Sequence, residues 1–469
     1  MPQSIAIIGS GFLGLTLALR LSEQGAKVTV FESAPEIGGL ASSWKIGDVV
    51  WDRHYHVTLL SDSFTRKVVE EIGLGDEFEW VETKTGFYTG GKLVSMSNAL
   101  EFLKFPPLGL VSKFRLGATI FYASRVKDWK ALEKIPVADW LIKLSGKKTF
   151  EKVWRPLLKA KLGEAYRETS AAFIWATIQR MYAARKSGMK KEMFGYVRGG
   201  YARVLGRFEK VLRERGVEIR LNSPVSKVEK LKNGLIGIST ITARTAIPAV
   251  ETVGAEALHT RNDLPGHGNS TLTLDRDEFD SVVLTCPADI AAKIVPQLTT
   301  EEKRKLENVK YQGIVCASVL LKKSLSEFYV TNIIDETPFT GIVEMSALVD
   351  KKAFGGNALV YLPKYVTPDD ELFERSDAEI EELFLDALEK MYPHFSRTDV
   401  EAFRVSRVKK VFPLPVLNYS GSLPSIETSV EGVIVVNSAH IVNGTLNVNE
   451  TVRLAENFYA DHCSPDARG

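Results

Sequence analysis

The chain has 469 residues, 45% of them apolar and 25% charged, the mix of an ordinary globular protein with enough length for two or three structural lobes. Its 60 basic and 58 acidic residues leave a formal charge of +2, which excludes a general polyanion binder and with it a nucleic-acid partner. Cys286, Cys316 and Cys463 lack CxxC spacing and cannot all pair, there is no basic n-region, and no apolar run nears the ~18 residues of a spanning helix, so the expectation is a cytoplasmic protein.

"SIAIIGSGFLGLTLALRLSEQGAKVTVFE" reads as strand, glycine turn, helix closed by Gly25, and a second strand from Lys27 to Phe31. Gly9 makes the tight turn, Gly11 lets backbone N–H groups approach a diphosphate, and Gly14 lets helix and strand pack closely. Phe12 and Leu13, between the last two glycines, fall in the same cofactor-binding set. Glu32 ends the second strand 18 residues beyond Gly14, where a ribose would arrive, with Ser33 beside it.

Gly38 and Gly39 follow at once, then Leu40 and Ala41. An NAD enzyme gives no reason for this second pair, whereas a longer cofactor lying extended along the domain gains further backbone N–H donors there, so FAD fits better. No second strand, GxGxxG and acid recurs, so a separate NAD(P)H domain is not expected.

"WDRHYH" comes next, and strand alternation would put Asp52, His54 and His56 on one face with Arg53 and Tyr55 on the other. His54 and His56 are the catalytic candidates, because a histidine titrating near 6.5 can take a proton as a hydride leaves the adjacent carbon. The alternative is a pair of hydrogen-bonded histidines bracing the sheet. No third ligand has suitable spacing, so no metal is expected.

Residues 70 to 195 turn helical in pattern, as in "ALEFLKF", "VADWLIKL" and "FIWATIQRMYAARK". Within them, Phe102 to Lys127 holds five basic residues and no acidic one among Phe, Leu, Ile and Tyr. That composition suits either an anionic membrane surface or a core helix pair with solvated lysines, interrupted at Pro106 and Pro107. Strand-rich text returns at "GVEIRLNSPVSKVEKL" and "DSVVLTCPADIAAKI", separated by an aperiodic polar stretch, 250–273, read as a flexible loop. Short strands and an acidic helix, "DAEIEELFLDALEKMY", occupy 310–410. The chain closes with "EGVIVVNSAHIVNGTLNVNETVRLAENF", in which Asn449 reads as the N-cap and Glu450 as first-turn acid of the final helix.

Gly9-x-Gly11-x-x-Gly14, Glu32 and Gly38-Gly39 together resemble the FAD fingerprint of the flavin amine oxidase superfamily, which includes protoporphyrinogen oxidases and phytoene desaturases. The resemblance continues through "GYVRGGYARVLGRFEKVLRERGVEIRLNSPVSKVEK", where it makes Val225 the residue against the adenine. It returns in the closing segment, similar to the strand, loop and helix that cover the flavin ring, and so brings in Asn447, Val448 and Asn449. Relatives often carry Arg directly after the glycine pair, whereas this chain has Leu40. Those with covalent flavin use a cysteine in the closing segment, which is absent here, so the resemblance implies noncovalent FAD.

The fold it implies is α/β: a Rossmann-type FAD-binding domain, glutathione-reductase-like, assembled from 1–70, 195–295 and 411–462, with a mixed substrate lobe at 71–194 and 296–410 that joins an antiparallel sheet to a helical insertion. The implied activity is FAD-dependent oxidation of a small-molecule C–H bond, of the oxidase or desaturase type, on an apolar substrate, with peripheral membrane contact through 102–127. Two other readings stand beside it. One is a flavoenzyme without net redox change, similar to UDP-galactopyranose mutase; the other is a binding protein that FAD merely stabilises.

Overall fold

In the computed structural model the described residues are 3–97, 99–186, 193–244, 271–442 and 444–464. At the centre lies a five-stranded parallel sheet in the order Glu218–Arg220, Lys27–Phe31, Ser4–Ile8, Ser281–Leu284 and Val433–Val435. Its strands are near-continuous runs of apolar and β-branched residues because both faces are covered. Successive side chains of one strand point to opposite faces, and Ser4–Ile8 shows the division. Ile5 and Ile7 pack with Leu15, Leu19, Phe208 and Val452 of the helices Phe12–Glu23, Gly200–Glu214 and Val448–His462. Ala6 and Ile8 pack with Val228, Ile238 and Phe279 of an antiparallel sheet made of Val225–Lys230, Ile236–Arg244 and Thr271–Phe279, and with Ala288 and Ala291 of the helix Ala288–Ile294.

The chain leaves the strand Ser4–Ile8 for its neighbour on one side and, much later, supplies Ser281–Leu284 on the other. Such a reversal of direction opens a crevice at the carboxyl ends of the strands, and Gly9 stands at its mouth. Of the expected loop, residues 250–270 lie outside the described residues, while 271–273 already belong to the strand Thr271–Phe279.

A seven-stranded sheet forms the second half of the molecule, in the order Val400–Pro413, Tyr311–Leu321, Ala358–Val366, Gly341–Glu344, Val330–Ile333, Thr85–Thr89 and Lys92–Ser95. All its neighbours pair antiparallel except Val330–Ile333 with Thr85–Thr89. The helix Asp377–Met391 packs Ile380, Phe384 and Leu388 against one face, and the helices between 99 and 186 cover the other. The stretch expected to be helical from 70 therefore begins with strands instead: Phe78–Glu82, Thr85–Thr89 and Lys92–Ser95. Aromatic and β-branched residues crowd these segments, and pairing with Met193–Val197 and Val330–Ile333 outweighs any local helical pattern.

Candidate active site

A cavity of about 1180 Å³ runs from the carboxyl ends of the parallel strands into the helical lobe. It exceeds the roughly 300–1,000 Å³ of an ordinary small-molecule site, which leaves room for a dinucleotide and a second molecule. Gly9, Gly11, Phe12, Leu13, Glu32, Ser33, Gly38, Gly39, Leu40, Ala41, Val225, Asn447 and Val448 line one end. Gly14 and Asn449, placed in the same set from sequence, do not reach it.

The glycines differ in what they face. A Cβ on Gly14 would lie 2.1 Å from the Gly9 carbonyl oxygen, so Gly14 serves the packing of helix on strand. Gly38, at φ +110, would drive a Cβ to 2.4 Å from Leu205 Cδ1. A Cβ on Gly11 would meet no atom within 4 Å, because its Cα opens onto the cavity. The Gly38 amide donates to the Ser10 carbonyl at 2.9 Å, and Gly11 and Gly38 pair as an isolated parallel bridge. Both glycine turns thus border the same space, at the amino end of the helix Phe12–Glu23, where unpaired N–H groups and the helix dipole favour a diphosphate.

Glu32 lines the cavity and also braces this cradle from behind. Its Oε2 accepts from the Ser10 amide at 2.9 Å and the Ser10 hydroxyl at 2.6 Å, and Oε1 accepts from the Ala34 amide at 2.9 Å. At the closing segment the N-cap is Asn447, not Asn449: its backbone is extended and its side chain accepts from the Glu450 amide at 3.1 Å. Asn449 is already inside the helix, and its Oδ1 accepts from the amides of Phe64 and Thr65 at 2.9 and 3.2 Å. It therefore satisfies free donors at the start of the neighbouring helix Ser63–Glu71, which removes it from the cofactor side.

The strand before the histidines stops at Asp52, so the expected alternation does not extend through Tyr55 and His56. His54 and His56 both line the cavity. The His54 Nε2 lies 3.4 Å from the Ser406 hydroxyl, and the His56 ring lies edge-on to Tyr201 with centroids 5.1 Å apart. Burial pushes the His54 imidazole down to about 3, with His56 and Arg53 adding to the effect, and pushes His56 down to about 4 against a small opposing contribution from the His54 backbone. The titration near 6.5 expected from sequence is thereby lost, and both rings are neutral at pH 7. Asp52 faces His56 at 4.0 Å, but burial raises its carboxyl to about 8 despite the Tyr201 amide, so the contact is not an ion pair at neutral pH.

Sequence reasoning missed the far wall. Lys161, Tyr365 and Phe412 converge there from separate segments with Tyr55 of the "WDRHYH" stretch, and no local motif marks those three. Leu116, Ile120, Leu157, Phe173, Ile174 and Ile178 make the rest of that end apolar. Among the described residues, no group of three His, Cys, Asp or Glu is placed to hold a metal, and no helix is long and apolar enough to cross a membrane.

Parallel sheet, glycine cradle and second sheet define an α/β dinucleotide-binding protein of the FAD type. The model of the flavin containing amine oxidoreductase family matches residues 14–422, and the chain belongs to that family, with FAD as its cofactor. It is 24% identical over 294 residues to the zeta-carotene desaturase of Synechocystis sp., covering 56% of this chain and 58% of that protein. It is 20% identical over 410 residues to the 15-cis-phytoene desaturase of Narcissus pseudonarcissus, covering 83% of this chain and 66% of that protein. In both cases the match spans less than two thirds of the relative's own length. The crystal structure of an oxidoreductase from Methanosarcina mazei superposes with a TM-score of 0.70 at 16% identity, over 97% of this chain and 100% of that one, which shows the shared fold.

Proposed function

We propose that the protein is an FAD-dependent oxidoreductase of the oxidase or desaturase type acting on a small, largely apolar molecule. The observation that carries this reading is the continuity of one cavity from the glycine cradle to an apolar compartment in the helical lobe. Bound FAD would supply the acceptor, taking a hydride from a substrate C–H bond at N5. The segments 1–70, 195–295 and 411–462 would hold it, and 71–194 with 296–410 would enclose the substrate. An apolar compartment of this kind favours oxidation of an apolar molecule over rearrangement of a sugar nucleotide.

In this reading His54 and His56, both neutral, orient the substrate by hydrogen bonding and do not act as strong bases. The FAD is held noncovalently. Cys286 lines the cavity beside Gly9, at the diphosphate end, and burial pushes its thiol up to about 12, so it offers no thiolate to a flavin ring.

The substrate would enter from a membrane surface. In the helix Leu110–Ala123, Leu116 and Ile120 face the cavity while Leu110, Val111, Phe114, Phe121 and Tyr122 are exposed, Phe114 by 78%. Lys113 is buried and donates to the Leu103 carbonyl at 2.6 Å, while Lys104 and Lys127 are exposed. An exposed apolar face beside the cavity, with Arg115, Arg125 and Lys127 also exposed in this segment, suits a peripheral protein on anionic lipid.

Anaerobic mixing of the yellow protein with panels of apolar amines, alkenes and acids tests the activity. Bleaching of the flavin by one class is the expected result. If dithionite bleaches it and no organic compound does, the oxidoreductase reading fails.

A further inference from the structure

Lys161 sits near the end of the helix Arg155–Leu162, whose Leu158 and Leu162 anchor it in the core. The lysine is half-buried and lines the cavity. Its Nζ donates to the Tyr365 hydroxyl at 2.6 Å and lies 3.9 Å from the centroid of the Tyr365 ring and 5.2 Å from that of Phe412. The Tyr365 hydroxyl in turn lies 2.9 Å from that of Tyr55. An ammonium has three donors, and this cage uses one of them.

The other cations on the cavity wall are neutralised within the chain. Arg180 pairs with Asp62 at 2.8 Å, and Lys410 pairs with Asp289. Among the described residues Lys161 has no carboxylate within 4.0 Å. The aromatic faces attract a cation but do not neutralise it. A shielded charge without a counter-ion is costly, and burial together with the Arg180 charge lowers this amine to about 7. A group that carries formal negative charge would remove that cost, and a substrate ammonium would meet the like charge of Lys161.

We propose that Lys161 anchors a carboxylate of the substrate, so that the cavity takes an apolar acid in preference to an amine or a neutral hydrocarbon. The inference deepens the proposed function and rests on its claim that this end of the cavity is the substrate compartment. Two ammonium donors and the Tyr55–Tyr365 hydroxyl pair receive the carboxylate, and the surrounding Leu157, Ile174 and Ile178 receive the chain. No bond is made or broken in this step.

Isothermal titration of the FAD-loaded protein with decanoate, decan-1-ol and decylamine tests the anchor without requiring turnover. Decanoate should bind about 10- to 100-fold more tightly than the alcohol, the usual difference for a charge-assisted hydrogen bond, and the amine more weakly than either. The preference should fade as pH rises above 7 and Lys161 loses its proton. Tyr55 and Tyr365 ionise far above that range and His54 and His56 stay neutral; Asp52, beside His56, gains charge near 8, and Lys161→Met, which keeps Asp52, separates its effect from that of the lysine.

Lys161→Met should abolish the preference for the acid while leaving the affinity for the alcohol and the flavin content unchanged. Equal binding of acid and alcohol to the wild-type protein would overturn the proposal whether or not the variant folds. So would binding of none of the three, a preference that survives Lys161→Met, or loss of FAD from that variant, which would assign the lysine to the cofactor. If decanoate binds as expected but no acid ever bleaches the flavin, the anchor stands and the oxidoreductase reading falls.

Discussion

Gly38 donates its amide to the carbonyl of Ser10 at 2.9 Å, and this bond joins two glycine turns, 28 residues apart, into one wall of the cavity. The second turn therefore gives the first a partner as well as adding donors of its own. Gly38 holds a left-handed conformation with Leu205 against it, whereas Gly11 opens onto empty space.

Substitutions at these two glycines should consequently separate. Gly38→Ala combines an unfavourable φ with a clash against Leu205, and should lower stability by about 1–3 kcal/mol along with flavin content. A Cβ on Gly11 meets no neighbour, so the Gly11→Val apoprotein should melt near the wild-type temperature while binding little FAD. The ratio of flavin to protein absorbance, read beside a thermal melt, checks both. Full flavin content in Gly11→Val would move the diphosphate elsewhere.

At Glu32 the side chain serves the fold and the cofactor together. Glu32→Ala leaves the Ser10 amide and hydroxyl and the Ala34 amide without their acceptor, about 1.5–3 kcal/mol for each charge-assisted bond, so the cradle should lose stability and FAD should be lost on dialysis as it loosens. Glu32→Gln keeps an acceptor oxygen and should retain more. Equal retention by the two variants and the wild type would remove the carboxylate from cofactor binding.

The histidines make a prediction about pH. Their folded pKa values, about 3 and about 4, lie below the unfolded 6.5, so the unfolded chain binds more protons than the folded one across that window. Their contribution to stability is complete above 6.5 and is lost as pH falls toward 4 and below. Asp52 has the opposite sign: its folded value, about 8, is above the unfolded one, so its contribution is complete below about 4 and is lost as pH rises through 8. Thermal melts should show the acid limb flattened in the His54→Gln, His56→Gln double variant and the alkaline limb flattened in Asp52→Asn. Unchanged limbs would show that these groups are less shielded than the structure places them.

Membrane contact should depend on the exposed face of the helix Leu110–Ala123. The protein should sediment with anionic vesicles at low salt and be released as salt rises, because exposed basic contacts are screened. Val111→Glu with Phe114→Glu should abolish sedimentation at every salt concentration and leave flavin content intact. Wild-type behaviour of that double variant would assign any binding to another surface.

Much of the nucleotide half was legible because its signals are short-range. Three glycines at fixed spacing, a strand before them and an acid at the end of the next strand are local facts, and the period of the intervening residues already gives a helix. The closing helix was also legible, but not its cap: Asn447 and Asn449 are equally good cap residues, and only the packing of Asn449 against Phe64 and Thr65 decides between them. The end of the strand at Asp52 and the strands between 78 and 95 depend on partners far along the chain, which a single window of sequence does not contain. Lys161 is the extreme case. It meets Tyr365 across 204 residues, and Tyr365 meets Tyr55 across 310, so only the fold brings this lysine to the cavity wall beside two tyrosine hydroxyls. Spacing along the chain determined which residues can cradle a diphosphate, since backbone turns are built from neighbours. What the cavity can hold at its other end was decided by tertiary packing, because charge and desolvation depend on which side chains meet in space.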